Sequence, residues 1–522
     1  KQNIRVNNKN MNVLRSSLIY SFFTSISRVL GYVRDILIAI FLGTGVLADI
    51  FFVAFRLPNT FRRIFSEGAL NSAFVPIYSK LLLNKPTDNA KIFAGNTLLV
   101  FFIFTSLVVI VVEVFMPYFV MILAPGFLND ENKFQELIKV SRIIFPFLIL
   151  ICLSSLYSSI LNSHNKFALS ASLPIFLNIA LIASLLAAFF YSGNFLLYLS
   201  WGVIIGGMMQ LILLICALTY SKIEIKYFSK VVKNNMKKFF QLFSISFFSS
   251  GLLQINILIG TIIASFESGA ISYLYYADRV YQLPLALIGI AIGIVLLPAI
   301  SLKIENKMED EISQTIENTL IFALLVAIPA SIGIFILPEL IVEVLFKRGE
   351  FNELSTLNTS LALKYYSFGL VAFILMKIYN PIFFAYEDAK PALYVTLTNL
   401  IFNTIISIIL FLKMGFIGIA IGTSVSAWLS VIMMQYFLSK NNYYKISHNF
   451  LKPLFIIFLS SIILYFYLTY LEIYSSEILE KFELNKIIFL LFSVLSSIFL
   501  YFFVISFYKP FSYTELKKVI IK

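Results

Sequence analysis

The sequence predicts an all-α integral membrane protein: fourteen transmembrane helices, forming two pseudo-symmetric six-helix bundles around a central cavity, plus two C-terminal helices. Three observations predict it. Of 522 residues, 60% are hydrophobic and 13% charged, with a mean hydropathy of +0.90, a balance that no soluble surface tolerates. Apolar runs of twenty or more residues recur along nearly the whole chain, each long enough to cross a hydrocarbon core of about 30 Å as a helix, where membrane strands would be short and alternating. The two halves also repeat one another at a near-constant interval.

The first bundle, 14–220, holds spans near 14–42, 48–80, 92–123, 135–162, 168–191 and 195–219. A lysine-rich cytoplasmic linker, 221–235, leads to the second bundle, 236–440, with spans near 236–264, 270–302, 316–338, 357–385, 390–412 and 415–438. Spans near 450–471 and 485–508 fill the remainder, 441–522, with a cytoplasmic tail, and residues 1–13 form a cytoplasmic extension. The first span is too long for a signal-peptide core and lacks a small-residue cleavage site, so it is expected to stay in the mature protein.

The repeat rests on three matches. "PIYSK" (76–80) closes the second span and "PAISLK" (298–303) the eighth, while Asn178 and the "MMQ" at 208–210 return 225 residues later as Asn403 and the "MMQ" at 433–435. Six spans per half is an even number, so the halves share an orientation and are related by an axis along the membrane normal.

The net charge of +13 reflects topology. With a cytoplasmic N-terminus, 24 Lys and Arg lie in inside segments and six outside, Lys133 among the latter. The positive-inside rule then puts both termini in the cytoplasm, and a nucleic-acid footprint is excluded. Cys152 and Cys216 fall in apolar spans and read as small buried hydrophobes. His164 and His448 stand in short polar loops without partners at ligand spacing, so neither a metal site nor a cofactor is expected.

The remaining ten cations lie within spans or at their edges. Lys139, Arg142 and Lys364, near span ends, read as snorkelling side chains. "SRVLGYVRD" (27–35) is different, because Arg28 and Arg34 sit deep in an apolar helix, where an arginine costs about 2.5–3.5 kcal/mol unless partners or water offset it. At helical pitch Arg28 and Asp35 share a face two turns apart, while Arg34 points about a quarter turn away. Arg28 is therefore expected to pair locally and Arg34 to remain for a ligand. In the second span Asp49, Arg56, Arg63 and Glu67 align while Arg62 is displaced by about 100°, and "LPN" (57–59) is expected to break the helix between them. A structural ion-pair ladder explains the aligned four as well as a site does; it does not explain Arg62. "YYADRVYQLP" brings Arg279 from the second half. Guanidinium forks hold two phosphate oxygens at once at any working pH, so arginines from both halves facing one cavity ask for a doubly anionic headgroup such as a pyrophosphate.

"SRVLGYVRD", "ADIFFVAFRLPNTFRRIFSEGALNSAFVP", "APGF", "YYADR" and "LFKRGEF" together resemble the MurJ (MviN) family of lipid II flippases over essentially all fourteen spans. The resemblance implies the fold of the multidrug, oligosaccharidyl-lipid and polysaccharide exporter superfamily. It also implies Arg28, Arg34, Arg62 and Arg279 as substrate-binding arginines, with Ser27, Asp35, Asp49, Arg63, Glu67 and Ser272 in support. The last two helices would form a groove for the undecaprenyl tail. Met11 resembles the usual family start. Two positions depart from the family pattern: Gln282 stands where some relatives have an acidic residue, and Gly260 where many do, which puts sodium coupling in doubt.

The expected activity is alternating-access transport of lipid II from the inner to the outer leaflet of the bacterial cytoplasmic (inner) membrane. It needs no cofactor and is open to coupling to the membrane potential or an ion. Expected partners are lipid II and membrane lipids, with a monomeric chain and no nucleic acid. The rivals are an exporter of another polyprenyl-linked oligosaccharide and an enzyme acting on polyprenyl pyrophosphate. Such an enzyme needs a histidine or a metal cluster to activate water, and neither histidine is near the arginines in sequence.

Overall fold

The long apolar runs are helices in the computed structural model, which describes residues 2–83, 88–227, 233–482 and 485–508. The side chains of 1–20, 66–69 and scattered positions, chiefly within 245–253 and 288–295, lie outside the described set. Among the described residues there is no strand, and ten helices are long and apolar enough to cross a membrane. These ten coincide with the third to sixth and ninth to fourteenth predicted spans. The other four predicted spans are helical as well, and three of them carry the arginines.

The chain divides into two compact units, 1–271 and 272–522. Unit 1 begins with α1 (Gln2–Leu42) and α2 (Val46–Arg62), which runs through a π-helical segment (Arg63–Leu70) into α3 (Asn71–Leu83). Next come α4 (Asp88–Val114), α5 (Met116–Leu123), a 3₁₀ turn (Pro125–Asn129), α6 (Glu131–Ile144), α7 (Phe147–Ser163), α8 (Phe167–Phe190), α9 (Phe195–Tyr220) and α10 (Lys233–Ala264). α1 packs on α8, α8 on α9, and α2 on α6. The seventh predicted span, α10, packs in unit 1 against α3 and the π segment. Its aromatic residues are the reason: Phe243 stacks on Phe65 at 6.1 Å and meets Phe101 edge-on at 5.2 Å, completing an apolar core that also holds Phe239.

The segment 221–227 is strapped to the start of α4. Lys91 Nζ contacts Glu224 at 2.6 Å, Lys226 Nζ contacts Asp88 at 2.9 Å, and Lys226 N donates to the Lys91 carbonyl. Gly95 permits this approach, because a Cβ there would lie 2.1 Å from the Lys226 carbonyl oxygen.

Unit 2 contains most of α11 (Ala270–Leu285), a second π segment (Ala286–Ile290), α12 (Ala291–Glu305), α13 (Glu309–Ile336), α14 (Pro338–Phe346) and α15 (Glu353–Ala385). It continues with α16 (Lys390–Met414), α17 (Ile417–Lys440), α18 (His448–Ile473), α19 (Ser475–Lys481) and α20 (Lys486–Tyr508). α16 and α15 pack on α17, α13 on α15, and α18 on both α13 and α20. The backbone repeats the plan of unit 1. α5 and α14 are both short helices with proline in the first turn, 222 residues apart. The N-cap Asp130 of α6 returns after the same interval as the N-cap Asn352 of α15. The π segments begin at residues 63 and 286, each between two prolines, Pro58 and Pro76 or Pro284 and Pro298.

Candidate functional site

Six residues separate Arg28 from Arg34 on α1, and the structure treats them in opposite ways to the sequence expectation. Arg34 is buried and engaged: Nη2 and Nε donate to Asp35 at 2.6 and 3.0 Å, and Nη1 donates to Asn178 Oδ1 of α8 at 3.0 Å. Asn178 turns its Nδ2 to the Ser27 carbonyl at 3.0 Å, so one amide ties α8 to both ends of the motif. Arg28 is exposed and, among the described residues, has no hydrogen-bond or ion-pair partner. The reversal has a simple cause. A long guanidinium curls back to the neighbouring residue's carboxylate, and a buried carboxylate such as Asp35, 2% exposed, needs its counter-charge beside it.

The second span also departs from an ideal α-helix. Pro58 does not end α2, which continues to Arg62. The irregularity comes at Arg63, where π winding takes over and the angular step used to align Glu67 no longer holds; the Glu67 side chain lies outside the described residues. Arg62 is half-buried, with Nε donating to Asn59 Oδ1 at 2.8 Å, and Arg63 is exposed. Arg56 donates to Thr261 Oγ1 of α10.

Asp49, with no exposure at all, accepts from the Gly269 N–H at 2.8 Å and faces Lys133 Nζ at 3.4 Å. Lys133 was assigned to an exposed outer loop and is instead buried, 7% exposed, with its ammonium 3.7 Å from the Phe127 ring centroid. The available signal was "APGFLNDENK": Asp130 accepts from the Lys133 N–H as an N-cap, which sets the lysine in the first turn of α6. Cys216 is likewise exposed, on a face of α9 shared with Ile212 and Ile215, while Cys152 is buried.

In unit 2, Arg279 of α11 is half-buried. Its Nη2 donates to Tyr275 Oη at 2.8 Å, and its Cζ lies 4.7 Å from that ring's centroid, a cation–π contact one turn back on the same helix. Gln282 donates to Asp278, and Ser272 is fully buried. Tyr275, Asn178, Asn59 and Thr261 were not among the predicted residues; neutral polar side chains give no charge signal in an apolar run. His164 bonds the Tyr78 hydroxyl at 3.2 Å, and its ring is held below the usual imidazole value by burial and then by Lys166. The arrangement offers exposed or aromatic-backed guanidinium groups on the helices of the first, second and eighth predicted spans, which is chemistry for holding an anion.

Residues 38–499 match the sequence profile of the family "Lipid II flippase MurJ". The chain belongs to this family. It is 37% identical over 412 residues, 78% of this chain and 77% of the relative, to "Probable lipid II flippase MurJ" of Rhizobium tropici. It is 36% identical over 437 residues, 83% and 85%, to the protein of that name in Rickettsia prowazekii. Among solved structures it resembles "Lipid II flippase MurJ, inward closed conformation", with a TM-score of 0.80, 27% identity and coverage of 94% of this chain and 99% of that one. A multidrug resistance MATE transporter of the MOP superfamily, inward-facing, shares the fold at a TM-score of 0.68 and 11% identity, covering 82% and 98%. This member of the MurJ family is a multi-pass helical membrane protein.

Proposed function

We propose that this chain moves lipid II from the inner to the outer leaflet of the bacterial cytoplasmic membrane by alternating access, with both termini cytoplasmic. Arg28, Arg34, Arg62 and Arg279 are assigned to the pyrophosphate, and Ser27, Asp35, Asp49, Arg63, Glu67 and Ser272 to their support. The observation that carries the reading is Arg28: a guanidinium in a membrane helix, exposed and without a protein partner among the described residues, in a family of lipid II flippases. Intramembrane cations are costly enough that their default role is functional. Arg34 differs, since Asp35 and Asn178 hold it; it supplies positive field and fixes α1 on α8 while Arg28 and Arg62 reach the ligand.

Energetically, carrying two negative charges outward across an inside-negative potential is downhill by about 4.6 kcal/mol per 100 mV, so the membrane potential alone can drive export. The test is flipping of lipid II by the purified chain in proteoliposomes under an imposed potential with no ion gradient. Faster export with the inside negative supports the reading; flipping indifferent to the sign of the potential removes the drive, and no flipping at all removes the function. In cells, depletion of the protein is expected to trap the precursor on the inner leaflet.

A further inference from the structure

We infer that Lys133 is a positioning residue: its buried ammonium is the counter-charge that keeps Asp49 an acceptor for the Gly269 N–H, and the pair locks the turn from which the Arg279 helix starts. The inference rests on the transport reading above only for the role of Arg279.

The geometry is all within unit 1. Asp49 lies in the first turn of α2 and Lys133 in the first turn of α6. Gly269 stands at φ 84°, immediately before α11 begins at Ala270. Asp49 has no exposure and Lys133 is 7% exposed, so neither charge is hydrated from outside. A buried carboxylate that loses its cation is strongly destabilised, whereas a neutral pair in the same place is tolerated.

A second contact fixes the same turn to the same loop. The Gly126 N–H donates to Ser265 Oγ at 3.0 Å, and a Cβ at Gly126 would lie 2.2 Å from the Ser265 carbonyl oxygen. The "APGFLNDENK" loop thus grips the 265–269 turn at two points, by close backbone approach at Gly126 and by charge through Lys133 and Asp49. Phe127, between them in sequence, closes over the ammonium with its ring. Ten residues, or about 15 Å of α-helix, separate Gly269 from Arg279. An unlocked turn therefore frees the helix that presents that guanidinium. On the proposed orientation this end of unit 1 faces outward.

Charge coupling gives the test. Hydrogen exchange of the 265–271 segment is measured by mass spectrometry on the full chain in nanodiscs without substrate, and lipid II flipping is measured in parallel. Lys133→Met is expected to speed exchange of this segment by about tenfold or more and to slow flipping. Lys133→Arg, which keeps the cation, is expected to return both readouts toward wild type, and the double variant Lys133→Met with Asp49→Asn, which removes the stranded charge, is expected to return the exchange of this segment toward wild type whatever it does to flipping. A lysine that only fills space would not be rescued by a change at Asp49. A double variant whose 265–271 segment exchanges as fast as in Lys133→Met overturns the proposal. So does normal flipping by Lys133→Met when Arg279→Ala abolishes it. If Arg279→Ala also flips normally while the exchange pattern holds, the assignment of Arg279 fails and the lock stands.

Discussion

In unit 1 the run from Val46 through the π segment to Leu83 carries Asp49, Arg56, Arg62 and Arg63, with Asp49 wholly buried against a lysine from another helix. Its counterpart, from Ala270 to Glu305 and almost wholly in unit 2, has the same π interruption between two prolines, but its arginine, Arg279, leans on the ring and hydroxyl of Tyr275, one turn back on the same helix. The backbone plan is duplicated and the chemistry is not. Winding and N-caps recur because the backbone at those places must satisfy its own hydrogen bonds whichever way the surrounding charges are arranged. Charges survive only where each finds a partner or a ligand, so the two copies diverged in how they hold their arginines. In unit 1 the wholly buried carboxylate, Asp49, is paired with Lys133, which also ties α2 to α6.

The largest effect that would break this comparison lies at Arg34. Arg34→Met strands the buried Asp35 and is expected to destabilise the chain by roughly 3–5 kcal/mol, read as thermal unfolding in detergent. Adding Asp35→Asn should restore most of it. If Arg34→Met unfolds like wild type, the pair is not structural and Arg34 belongs with the ligand-facing arginines.

Arg28 should behave in the opposite way. Because nothing described in the protein leans on its guanidinium, Arg28→Ala leaves unfolding unchanged and lowers flipping by about 10- to 150-fold, the loss of a charged hydrogen bond worth 1.5–3 kcal/mol. Arg279→Ala should show a similar loss of flipping, with Tyr275→Phe milder because the ring contact remains.

Gly95→Ala sharpens the account of the strap. The added methyl meets the Lys226 carbonyl, and overpacking against backbone costs typically about 1–3 kcal/mol, so a lowered unfolding temperature and faster protease cleavage within 221–227 are expected.

The smallest effect is a pH dependence in unit 2. Glu343 of α14 accepts from Lys347 at 2.8 Å and from Lys486, at the start of α20, at 2.7 Å. Burial raises its pKa, but these two hydrogen bonds outweigh burial and hold the carboxyl below its usual value. A depressed folded pKa contributes stability above the unfolded value, near pH 4.3, and loses it as pH falls through the folded value. Unfolding temperature should therefore fall on acidification below about pH 4.3, and less steeply in Glu343→Gln.

Much of this was legible in the sequence. Helix type follows from apolar length, and the tandem plan from matches such as Asn178 with Asn403. The arginines stood out because a charge in an apolar run cannot be accidental. What the sequence hid was partnership. Arg28 and Asp35 share a helical face, yet Asp35 is taken by its neighbour Arg34, because reach along a flexible side chain overrides angular phase. Lys133 looked like one more outer-loop cation, since its burial depends on a carboxylate 84 residues away. The π turn at Arg63 shifted the phase of everything after it. The place of α10 was set by Phe239 and Phe243 finding the aromatic core of unit 1, which no linker composition announces.

The central claim is that arginine forks grip the pyrophosphate of an isoprenoid anchor. It is tested most directly by the affinity of the purified chain for undecaprenyl pyrophosphate against undecaprenyl monophosphate, in wild type and in Arg28→Ala. The account predicts a clear preference for the pyrophosphate in wild type that shrinks by about tenfold or more in the variant. Equal preference in both proteins would contradict it.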